Sequence, residues 1–150
     1  MTPIAYFQLA EWLLVNNKSP EGYRTAISRG YYAALHTAIT LLSEMGVVLP
    51  RDANKHAKVP DLLEHTADAR LCEAGAKLSN LCLDRNKADY HLPDKEVEVE
   101  SFAEFRLKNA SDIIAALQTC KTAKGSASGR FERAAAAAKK HADFLFLGIR

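Results

Sequence analysis

The sequence predicts an all-α fold: an up-down four-helix bundle with an extra short N-terminal helix and a C-terminal helix. Three observations predict it. Apolar residues recur at i, i+3, i+4 and i+7 over long stretches. Ala, Leu, Glu, Lys and Arg, all good helix formers, are abundant. Gly and Pro fall mostly between the stretches rather than inside them.

The elements follow in order. A short first helix covers residues 4–16, with Phe7, Trp12 and Leu14 among its apolar positions. Ser19 followed by Pro20 is an N-cap and first-position pair for a long second helix, residues 20–45. Ile27, Tyr31, Ala34, Leu35, Ala38 and Leu42 give that helix one buried stripe, and Gly46 stops it. Residues 47–60 read as a polar connection, and residues 61–65 as a short helical turn. A third long helix runs over 66–90, with Leu71, Leu78, Leu81 and Cys82 inward, and Pro93 ends it. A fourth begins near Asp94 and continues to Cys120; its acidic start suits the positive end of a helix dipole. Residues 124–129 are a flexible connector by composition. A last helix contains Ala134 to Ala138, with Phe131, Phe144 and Leu145 available to dock it.

A chain of 150 residues can bury a core without metal or disulfide staples. The division is a helical bundle over 1–120 and a basic C-terminal extension over 121–150, read as a docked helix. Cys72, Cys82 and Cys120 form neither a zinc pattern nor a closed disulfide set, which suits reduced thiols in a cytoplasmic protein. The N-terminus carries Glu11 and no early basic cluster, unlike a signal peptide. No apolar run approaches the roughly 20 residues of a membrane span. Net charge is only +2, but from Thr119 onward seven Lys or Arg stand against Glu132 and Asp143. Such a tail can attract phosphate, and a solvated helix face explains it equally well.

Two segments carry a family resemblance. Ala26–Ile27–Ser28–Arg29–Gly30–Tyr31–Tyr32–Ala33–Ala34–Leu35–His36 looks like the SRAYYAxFH helix of small bacterial HEPN proteins. Arg85–Asn86–Lys87–Ala88–Asp89–Tyr90–His91 is similar to that family's R-x-x-ADY segment, and to its pattern of arginine, polar residue and a later histidine. Gly30 stands where the family has alanine, and the basic tail is outside the pattern. The resemblance covers about residues 20–117. It implies a HEPN-type bundle that dimerises, placing two Arg/His motifs at a shared cleft. Active members are metal-independent endoribonucleases, many of them toxins or phage-defence effectors beside a small nucleotidyltransferase antitoxin. Others are non-catalytic interaction or scaffold modules that bind a protein or nucleic acid.

The motif has the chemistry such a reaction needs. Metal-free RNA cleavage requires a base for the ribose 2′-hydroxyl, a cation for the phosphate and an acid for the leaving 5′-oxygen. Histidine as a residue type can exchange a proton near neutral pH, so His91 can serve as base or acid. Arg85 stays charged and presents a planar fork to phosphate. Asn86 can bond a phosphate or orient the histidine. No cofactor is expected, and no His/Cys/carboxylate set has metal-site spacing in the sequence.

Geometry makes one demand. Six residues on a helix turn about 240°, so Arg85 and His91 share a face only if the helix ends near Tyr90 or a second copy supplies one of them. Asp89, four residues on, can pair with Arg85 and either orient it or simply hold the helix. Tyr31 falls on the apolar stripe, whereas Tyr32 is a candidate for the cleft or the dimer interface. Tyr90 can pack, stack on a base or accept a modification, with packing the default. His36 can face the cleft, although a satisfied core histidine is the commoner situation. Arg29 and Asp89 are a candidate pair between helices. His56 and His65 are expected to be exposed.

Overall fold

The computed structural model describes residues 1–148; Ile149 and Arg150, the end of the basic extension, lie outside the described residues. Six α-helices and one short 3-10 turn follow one another, and the described residues contain no strand. The helices are α1 (Pro3–Asn16), α2 (Pro20–Glu44), α3 (Lys55–Glu64), α4 (Ala69–Tyr90), α5 (Glu100–Thr122) and α6 (Arg130–Leu147). No described helix is long and apolar enough to cross a membrane.

The longest helix, α2, packs against α1, α4 and α5. Its start is the expected one: the Ser19 hydroxyl accepts from the Gly22 amide at 3.1 Å, ahead of Pro20 at the first turn. Its end is too. Gly46 takes φ +85°, and the Gly46 and Val47 amides turn back onto the carbonyls of Ser43 and Leu42. Tyr31, Ala34, Leu35, Ala38, Leu41 and Leu42 join one core with Leu71, Leu78 and Leu81 of α4 and Ile113 and Leu117 of α5.

The expected connection over 47–60 is wrong in its second half. A ten-residue helix, α3, begins at Lys55 and runs through Pro60. An interior proline costs about 3 kcal/mol. Val59, Leu62 and Leu63, all fully buried, share one face of α3. Burying each contributes about 1.5–3 kcal/mol, so the stripe outweighs the proline.

The other shifts have local causes. α4 starts at Ala69 rather than 66, because Asp68 accepts from the Arg70 and Leu71 amides at 3.1 and 3.0 Å and caps the helix. Between α4 and α5 lies a 3-10 turn, Glu96–Glu98, anchored by the fully buried Val97, so α5 starts later than Asp94. In α6, Phe131, Ala134, Ala135, Ala138 and Ala142 are buried in the main core. Phe144 does not join them, being 48% exposed. A two-point ion pair from Arg130 to Asp68, at 2.6 and 3.1 Å, ties the start of α6 to the cap of α4.

Candidate functional site

Arg29, Tyr32 and His36 sit three and four residues apart on α2, so they share one face. Arg85 and Asp89 do the same on α4. Where these faces meet, the first turn of α3 adds His56 and α1 adds Tyr6. The result is a cluster of two guanidiniums, three tyrosines and two imidazoles.

Arg85 is its centre. It is 5% exposed, with its guanidinium carbon 5.1 Å from the Tyr31 ring, 5.5 Å from Tyr32 and 5.8 Å from Tyr90. The nearest carboxylate in an ion pair with it, Asp89, is 3.8 Å away, longer than a good charge-assisted hydrogen bond. Arg29 lies 5.3 Å from the same Tyr32 ring and 5.7 Å from Tyr6. The Nε atoms of both arginines are buried and have no hydrogen-bond partner. Two positive groups with spare donors therefore converge on one aromatic ring.

The candidate Arg29–Asp89 pair is not formed. Asp89 instead accepts from the Ser28 hydroxyl at 3.1 Å. His36 stacks on Tyr6 at 5.5 Å and on Tyr32 at 6.2 Å, so it belongs to the cluster. Burial, helped by Lys55, lowers its pKa. Tyr32 is half-buried in the cluster, and Asn86 is half-buried beside Arg85. Tyr90 is 70% exposed, so the default expectation of packing fails for it.

His56 corrects a second expectation. It is half-buried, not exposed in a loop, because α3 starts one residue before it. Its Nδ1 lies 2.6 Å from the Tyr31 hydroxyl and 3.5 Å from Arg85 Nη2. Burial raises the Tyr31 pKa, so the phenol stays protonated. Burial, then Arg85 and His36, lower that of His56, so the ring is neutral at pH 7. Tyr31 and Arg85 both meet the ring at Nδ1, the nitrogen turned toward the core.

His91 is placed differently. α4 ends at Tyr90, as the motif geometry demands, and His91 follows as an exposed cap residue. Among the described residues its side chain has no hydrogen bond or ion pair to Arg85. Its backbone is held firmly by Arg24, which is 8% exposed. Arg24 Nη1 donates to the Ala88 carbonyl at 2.9 Å, and Nη2 to those of Leu92 and Asp94 at 3.0 and 2.7 Å. Both nitrogens also lie 3.3 Å from the His91 carbonyl, while Nε donates to Glu98 at 2.9 Å. This one side chain ties the Ala88 carbonyl of the last turn of α4 to the His91, Leu92 and Asp94 carbonyls that follow it, and so fixes the end of the helix.

Sequence reasoning missed Arg24, His56 and Tyr6 as parts of the site. Nothing in their spacing marks them, since each reaches the motif from a different helix. The chain matches no protein-family model, no curated protein and no solved structure.

Proposed function

We propose that this protein is a metal-independent endoribonuclease of HEPN type, a toxin or phage-defence effector acting as a homodimer in the cytoplasm. In this reading α2, α4 and α5 are the heart of a four-helix HEPN arrangement. The observation that carries it is the convergence of Arg29 and Arg85 on Tyr32, with His36 and His56 alongside. Two guanidiniums gathered on one ring suit the charge of a phosphodiester. Tyr90, exposed at the end of α4, offers a ring face on which an unpaired base stacks. Arg85 clamps the phosphate, Asn86 supports it, and His91 transfers the proton, with His56 as a second acid–base group. Asp89 and Tyr90 position the end of α4. Exposed Trp12, Leu83 and Phe105 leave apolar surface for a second copy or a nucleotidyltransferase antitoxin.

The test is incubation with total tRNA and a structured RNA in EDTA, beside Arg85→Lys, His91→Ala and His56→Ala. The parent is expected to leave 2′,3′-cyclic phosphate and 5′-hydroxyl ends. Each variant is expected to lose cleavage at least about 100-fold while its circular dichroism is unchanged. Full activity in both Arg85→Lys and His91→Ala would sink the proposal.

One observation favours a second reading, a non-catalytic HEPN module that binds a partner protein or nucleic acid. His91 is exposed and held through its carbonyl, which is a structural role. RNA binding without cleavage by the parent would select that reading.

A further inference from the structure

At the other end of α3 from His56, a second cluster forms. Asp61 and His65 are four residues apart and so lie on one face of the helix end. His141 of α6, eighty residues away in sequence, folds against them. Its Nε2 is 3.1 Å from Asp61 Oδ2. His65 Nδ1 is 3.4 Å from Asp61 Oδ1. The two imidazole rings stack at 3.7 Å with their planes 8° apart. One donor atom from each of the three residues can be chosen so that all lie within 4.8 Å of one another.

From this we infer that Asp61, His65 and His141 form a binding site for a divalent transition-metal ion of the Zn²⁺ type, which staples α6 to α3. The donor set is two imidazoles and a carboxylate, which suits Zn²⁺, Co²⁺ or Ni²⁺ and leaves a fourth position for water. A pair four residues apart on a helix is a workable chelate, because both donors leave the same face. His65 also has the outer partner that metal-bound histidines use: its Nδ1 lies 2.8 Å from the Asp61 carbonyl oxygen. A proton on Nδ1 donated there leaves the Nε2 lone pair free.

Two adjustments complete the site. Donors on a tetrahedral ion with bonds of about 2.0–2.1 Å stand about 3.4 Å apart, so the cluster must close slightly. The stacked rings must also splay, because each lone pair lies in its ring plane. The His65 side chain is 51% exposed at the helix end and free to turn, whereas that of His141 is 16% exposed and stays put. When the ion binds, a neutral His141 presents Nε2 with its proton on Nδ1, and Asp61 exchanges its bond to His141 for the metal.

The site is separate from the Arg85 cluster, and its existence does not depend on the ribonuclease reading. The experiment uses the full chain, without a polyhistidine tag and stripped with EDTA. Co²⁺ titration is followed by visible absorption, Zn²⁺ titration by calorimetry, and the thermal midpoint is read with and without Zn²⁺. The parent is expected to bind one equivalent, to show the visible bands of low-symmetry Co²⁺ and to melt higher with Zn²⁺. His141→Ala and the exposed His65→Ala should each weaken binding at least about tenfold and abolish the rise in midpoint. His91→Ala, elsewhere on the surface, should bind as the parent does. No binding by the parent, or equal binding by parent, His65→Ala and His141→Ala, would overturn the inference.

Discussion

The Tyr31 hydroxyl and His56 Nδ1 lie 2.6 Å apart, joining α2 to α3 beneath Arg85. Tyr31 is fully buried, so no water replaces a lost hydroxyl there. Tyr31→Phe is expected to destabilise the protein by about 1–3 kcal/mol, because His56 keeps a desolvated nitrogen without its main partner. A urea midpoint unchanged from the parent would contradict this bond.

Arg24 and the end of α4 give a sharper test. The Arg24 and Glu98 side chains are 10% and 16% exposed and paired at 2.9 Å. Arg24→Ala leaves several carbonyls unpaired and Glu98 with only the exposed Lys95, at 3.2 Å, as its partner, for a loss of about 1–3 kcal/mol. Arg24→Lys should rescue little, because an ammonium lacks the planar fork that spans these acceptors. Amide exchange of the last turn of α4 should accelerate more than that of α2.

Two helix-interior glycines should respond oppositely to alanine. A Cβ on Gly75 would stand 2.8 Å from the Pro60 carbonyl oxygen, which is backbone of α3 and cannot step aside cheaply. Gly75→Ala should cost about 1–3 kcal/mol as α3 is pushed away. A Cβ on Gly30 would meet the Leu107 methyl at 3.2 Å and Ala110 Cβ at an ordinary 3.7 Å. There the helix-propensity gain of about 1 kcal/mol offsets a small side-chain shift, so Gly30→Ala should stay within about 1 kcal/mol of the parent. Chemical denaturation of the two variants decides both.

Stability should fall in two steps as pH drops. His36 and His56 have pKa values lowered in the fold, chiefly by burial, from an ordinary 6.5. The unfolded chain therefore takes up these protons first, and stability is complete above about pH 6.5 and declines below it. Asp68 is lowered from 3.8, first by its hydrogen bond from Arg130. Its contribution is present above the unfolded value and is lost as pH falls through the folded one. His56→Gln should flatten the profile between pH 5 and 7, and Asp68→Asn only its acid end.

RNA binding offers a test that does not require cleavage. If Arg29 meets a phosphate, Arg29→Ala should reduce the slope of log affinity against log salt by about one. An unchanged slope would remove Arg29 from the interface.

Most of the fold class was legible along the chain, because helical periodicity, the Ser19–Pro20 start and the Gly46 stop are local signals. The Arg85–His91 segment was equally visible, as was its need for a helix end near Tyr90. What local signals could not show was the first part of α3, residues 55–60, ahead of the helical turn expected over 61–65. The stability of α3 comes from burying Val59, Leu62 and Leu63 against other elements, a term that exists only once the chain is packed.

The sequence by itself therefore determined an all-helical chain and one chemically suggestive segment, since side chains a few residues apart on a helix are neighbours by geometry alone. Only the tertiary structure decided what surrounds that segment. It placed Arg24 on the His91 carbonyl, His56 beside Arg85, and His141 beside Asp61 and His65. Each of these contacts joins residues 29 to 80 positions apart. Such pairings follow from which helix faces bury together, and no spacing within one helix encodes them.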